Sequence, residues 1–103
     1  MGLELTYLGN DGFPAEGVLL GVATHDALST AAEALRLPLV GRFHEYYADV
    51  EIPVAEIPEL LRELETLELT VQLTPAQRSV VREIVKIAKA AFDAKTPLLA
   101  IAD

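Results

Sequence analysis

The sequence predicts an α+β fold, a mixed sheet of about four to five strands with three helices in the order ββ-α-β-α-β-α-β. Three observations lead there. Apolar and polar residues alternate with period two over Leu3–Tyr7, His44–Ile52 and Leu67–Leu73. Apolar residues recur with helical period after residue 26, after residue 56 and after residue 79. Pro and Gly separate the segments. At 103 residues the chain is expected to form one domain, 1–103, long enough to bury a core without disulfides or metals.

Leu3–Tyr7 suits a half-buried strand. Gly9-Asn10-Asp11-Gly12-Phe13-Pro14 is the strongest turn signal, because Asn, Asp and Gly tolerate positive φ and Pro fixes its own. Gly17–Ala23 is apolar at successive positions and reads as a central strand in a hairpin with the first. Thr24 or Asp26 is placed to cap the helix that follows, with Leu28, Ala31, Ala32 and Leu35 on one face and Pro38 ending it. Leu37–Phe43 reads as an irregular connector.

His44–Ile52 is the clearest strand. His44, Tyr46, Ala48, Val50 and Ile52 point inward, and Glu45, Tyr47, Asp49 and Glu51 make a wet, acidic face. One sheet face is therefore expected to be partly open, or this strand to lie at an edge. Pro53 and Pro58 flank the entry to a second helix, with Ile57, Leu60, Leu61, Leu64 and Leu67 inside and Glu56, Glu59 and Glu63 as an acidic edge. Leu67–Leu73 alternates again and reads as a strand. Thr74-Pro75-Ala76-Gln77 is a capping-box start, Pro suiting the first helical position. The third helix should run to about Lys95, its apolar arc of about 160° holding Val80, Val81, Ile84, Val85, Ile87, Ala88, Ala91 and Phe92. Leu98–Ala102 reads as a last strand.

Composition narrows the function. Without cysteine there is no disulfide, thiolate chemistry or Cys-ligated metal, which fits a cytoplasmic location. Met1–Thr6 lacks the basic and apolar runs of a signal peptide, and no apolar run approaches the roughly 20 residues of a membrane helix. No phosphate loop, EF-hand loop or metalloprotease pattern is present. No cofactor is expected.

Charge is unevenly spread. The net charge is −8, with 3 basic and 13 acidic residues in 1–73 against 5 basic and 3 acidic in 74–103. Such a balance argues against nucleic acid as a partner, since phosphate contacts need clustered bases. Arg78, Arg82, Lys86 and Lys89 form a stripe about 80° wide on the third helix. That stripe is either a solvated face pairing with the acidic second helix or a docking surface for an acidic partner or a second copy of this chain, making a homo-oligomer.

His25-Asp26 and His44-Glu45 would offer a metal set or an acid–base pair if the fold brought them together, and the spacing does not require that. Ser29 near His25 and Asp26 lacks the strand-to-helix elbow of a nucleophile. Exposed Tyr47 among Glu45, Asp49 and Glu51 has the character of an interaction patch. The expected function is thus a small acidic soluble binding module without catalytic activity. Its most concrete form is an inhibitor or immunity-type protein masking a basic protein surface, with acidic side chains standing in for phosphates. The alternative is a small enzyme or a metal- or ligand-binding domain with a pocket near His25 and His44, built at a dimer interface.

Overall fold

A computed structural model describes residues 3–9, 17–42, 49–70 and 72–102. The fold is α+β, with four strands and three long helices among the described residues. The strands are β1 (Leu3–Tyr7), β2 (Val18–Leu20), β3 (Val50–Ile52) and β4 (Leu98–Ala102). The helices are α1 (Val22–Leu35), the one-turn α2 (Pro38–Gly41), α3 (Ile57–Thr70) and α4 (Pro75–Asp93). Sheet order is β2-β1-β4-β3, and each ladder among the described residues is antiparallel.

Strand β1 follows its alternation through Leu5 and departs from it at Thr6, which shares the Glu4 side yet is fully buried. Leu3 and Leu5 are buried, while Glu4 points the other way and is exposed. The β2 segment departs from expectation. It is an edge strand of three residues, and α1 begins at Val22. The apolar run is continuous because it crosses from a strand into a helix, not because strands flank it on both sides. Gly17 enters β2 where only glycine fits, since a Cβ there would lie 2.6 Å from the Leu5 carbonyl oxygen.

Helix α1 starts earlier than the sequence suggests. Gly21 is its N-cap, without a side-chain hydrogen bond, so Thr24 and Asp26 sit inside the helix rather than capping it. Leu28, Ala31 and Ala32 are buried as read. Arg36 ends the helix in the left-handed region at φ 56°. The Leu37 N–H donates to the Ala32 carbonyl at 2.8 Å and the Arg36 N–H to Glu33 at 3.3 Å, a Schellman closure. The expected connector then forms α2, with Pro38 in its first turn and Leu39 and Val40 buried.

In β3, Ile52 is buried, Val50 half-buried and Glu51 exposed, in the predicted alternation. The earlier part of that predicted strand, with His44, Glu45, Tyr46, Tyr47 and Ala48, lies outside the described residues. Asp49 is exposed just before β3.

The predicted strand over Leu67–Leu73 is replaced by helix, because α3 continues through Thr70. Two leucines two residues apart share one face of a strand, but on a helix they stand about 200° apart. Leu67 accordingly completes the buried row with Leu60 and Leu64, and Leu69 is 79% exposed. The Leu- and Glu-rich segment favours helix, and nothing before residue 71 breaks it. The element order becomes ββ-α-α-β-α-α-β.

Helix α4 has the predicted capping box. The Gln77 N–H donates to Thr74 Oγ1 at 3.1 Å, and the Thr74 N–H donates to Gln77 Oε1 at 3.0 Å. Val81, Ile84, Ile87, Ala88 and Ala91 are buried. Phe92, expected inside the arc, lies at its margin and is 42% exposed. The helix stops at Asp93, and Lys95 at φ 58° closes a second Schellman turn through the Thr96 N–H to the Ala91 carbonyl.

Helix α4 lies over β1, β2 and β4, with α3 packed on α4. Buried residues of all four helices join Leu3, Leu5, Leu20, Ile52, Leu98 and Ala100 in one core. That core covers a single face of the sheet.

Candidate functional site

Register places the other sheet face. Leu19, Glu4 and Ile101 lie side by side across β2, β1 and β4. In the next row Thr6, Leu99 and Glu51 cross β1, β4 and β3. Leu19 is 59% and Ile101 36% exposed, and Glu4 and Glu51 are exposed. Leu99 is half-buried and Thr6 buried. None of these positions carries a base, so the face combines aliphatic surface with two carboxylates. Water-facing positions on an open sheet are usually polar. Leucine and isoleucine there depart from that pattern.

The alternation of β3 identifies Glu51 from sequence, and Asp49 is exposed beside it. Glu45 and Tyr47 of the same predicted patch fall outside the described residues. Glu4, Leu19 and Ile101 are the residues the sequence reading passed over. Glu4 was legible from the period of β1. The two aliphatic residues needed the knowledge that helices cover one face only.

The basic stripe is partly neutralised. Arg82 Nε donates to Glu68 Oε1 at 3.0 Å, tying α4 to α3. Lys86 and Lys89 are exposed and Arg78 half-buried. Two more surface pairs join Arg42 to Glu56 at 2.6 Å and Arg62 to Glu59 at 2.8 Å. The expected acidic edge of α3 therefore does not exist as a unit. Glu56 and Glu59 are paired, and Glu63 is buried under α2. Its carboxylate accepts the Leu39 N–H at 2.9 and 3.2 Å and the Val40 N–H at 3.0 Å.

His25 is buried in the second turn of α1. Its Nδ1 stands 3.8 Å from Asp26 Oδ1, beyond hydrogen-bond distance, and Asp26 is largely exposed. His44 and Glu45 are outside the described residues, so the proposed convergence of the two His–carboxylate pairs has no geometry behind it. No group of three or more potential metal ligands occurs among the described residues. Among the described residues, a shallow groove of about 550 Å³ runs along α1 and α2, lined by Ser29, Glu33, Arg36, Pro38 and Gly41. A smaller one, about 340 Å³, runs past His25, Asp26 and Ser29. Thr30 and Glu33 complete the lining of the second, so its walls are polar side chains of α1 alone. No helix among the described residues is long and apolar enough to cross a membrane.

Comparison with known proteins finds no family model, no curated protein and no solved structure that this chain matches.

Proposed function

We propose that this protein is a non-catalytic binding module whose open sheet face docks a partner with a basic, partly apolar surface. One observation carries the reading: on the sheet face opposite the core, exposed Leu19 and Ile101 stand beside exposed Glu4 and Glu51, with no positive charge among the described residues of that face. Aliphatic side chains there supply area to remove from water, and the carboxylates select cations and accelerate encounter. The net charge of −8 extends that attraction beyond the contact itself. An inhibitor or immunity-type role, with the carboxylates masking a surface built for phosphates, is the most specific form of this activity.

Affinity capture at low and high salt tests it, comparing the native chain with a Glu4→Lys/Glu51→Lys variant of unchanged circular dichroism. A basic protein retained by the first, released by salt and lost by the second is the expected result. Equal retention by both would remove the sheet face from consideration.

A further inference from the structure

The outer surface of the α3–α4 pair sets acids beside bases. Only residues 71–74 separate α3 from α4, and the two helices pack together as an antiparallel pair. Near that connection Arg82 Nε donates to Glu68 Oε1 at 3.0 Å. Both helices can be followed away from this contact, back along α3 and forward along α4, at about 1.5 Å per residue. Glu65 then comes level with Val85 and Lys86, and Leu61 comes level with Lys89.

Glu65, Lys86 and Lys89 are exposed, and among the described residues none of the three forms an ion pair. Leu61 and Val85 are half-buried beside them. Leu69 and Phe92 stand exposed toward opposite ends of the pair. The face is thus an acidic helix and a basic helix side by side, with exposed apolar residues at both ends.

We propose that this face pairs with a second copy of the chain about a two-fold axis parallel to the helices, α3 of each protomer lying against α4 of the other. Such an axis keeps every residue at its own level and exchanges the two helices. Glu65 then meets the partner's Lys86 and the partner's Lys89, and the same contacts recur on the other side of the axis. Leu69 lies along the stem of the partner's Arg82, and Phe92 comes level with the partner's Pro58. The result is a four-helix layer of antiparallel neighbours.

Other occupants match the face less well. A partner acidic throughout would meet Glu65 and Glu68 as well as the lysines. A two-fold axis across the helices would set α4 on α4, with lysine opposing lysine. The net charge of −8 makes copies repel at long range, so contact is favoured where acid and base lie side by side. The face is about 20 Å long and two helices wide, a size that gives a reversible dimer.

Sedimentation equilibrium of the full chain, from micromolar to millimolar concentration, tests the pairing. The variants are Glu65→Lys and Lys86→Glu/Lys89→Glu, each of unchanged circular dichroism. The native chain should dimerise, and each variant alone should dimerise at least about tenfold more weakly. An equimolar mixture of the two variants should recover association, because a heterodimer restores opposite charges at both contacts. A native chain that stays monomeric overturns the inference and leaves the lysines to an acidic partner. A dimer indifferent to both reversals overturns it as well, since the contact then lies elsewhere. Weakening by only one of the reversals, or a mixture that fails to recover, overturns the pairing of α3 with α4. Neither variant touches Glu4 or Glu51, so the sheet-face reading stands or falls separately.

Discussion

Glu63 caps Leu39. The carboxylate on α3 accepts the Leu39 N–H at 2.9 Å and reaches Val40 as well, so the first turn of α2 is satisfied by a residue 24 positions away. Helix N-termini carry unpaired N–H groups, and a local Ser, Thr, Asp or Asn normally meets them. Leu37 occupies that position here and offers no acceptor.

Glu63→Ala should therefore destabilise the fold by about 2–4 kcal/mol, since it strands buried donors that had a charged acceptor. Glu63→Gln keeps one oxygen in place and should cost about half as much. Urea melts of the three proteins give the ranking, and a loss under about 1 kcal/mol for Glu63→Ala would mean that water replaces the carboxylate.

This relationship also shows where sequence reading stops. The period of Leu3–Leu5, the capping box at Thr74 and the stripe from Leu28 to Ala32 are set within one element, and each formed as read. Helix α2 depends on a side chain from another element, so Leu37–Phe43 looked irregular. The Leu67–Leu73 error has a different cause. Over so short a span a period of two is compatible with a helix that buries Leu67 and exposes Leu69, and helix length decided between them. The site was half legible for the same reason. Glu51 follows from alternation, while the significance of Leu19 and Ile101 depends on which face the helices leave open.

Burial within α4 orders three substitutions. Ile84→Ala leaves a cavity at a buried position and should cost about 2–5 kcal/mol. Phe92→Ala should cost about 1–2 kcal/mol, because 42% of the residue already faces water. Arg82→Ala breaks only the surface pair with Glu68 and should change stability by no more than about 1 kcal/mol. Denaturant titrations in which Phe92→Ala exceeded Ile84→Ala would mean that α4 is rotated about its axis.

The C-terminal ends of α1 and α4 hold side chains in a region that glycine occupies without penalty. Lys95 lies at φ 58° and Arg36 at φ 56°. Lys95→Gly should raise stability by about 0.5–1 kcal/mol, relief of backbone strain outweighing a lost favourable charge at the helix end. Gly17→Ala should do the reverse and cost about 1–3 kcal/mol, since its Cβ would press on the Leu5 carbonyl oxygen. Thermal melts showing both changes neutral would contradict the backbone geometry at these turns.

Charge on the open face should act on rates more than on folding. Glu4 and Glu51 are exposed, so reversing both to Lys should alter stability by about 0.5 kcal/mol or less. The same reversal should slow association with a basic partner several-fold at low salt, because it replaces attraction by repulsion at the point of contact. Raising the salt toward physiological strength shortens the screening length to about 8 Å, and the difference should shrink with it. An equal reversal on α1, Asp26→Lys with Glu33→Lys, changes net charge identically but places it on a helix, away from the open sheet face. Stopped-flow rates should then respond to the sheet pair far more than to the helix pair. If the two pairs slow association equally, the acidic body attracts its partner through net charge alone and the contact lies elsewhere. If Glu51→Lys acts and Glu4→Lys does not, the surface is centred on β3 and Asp49 rather than on the middle of the sheet.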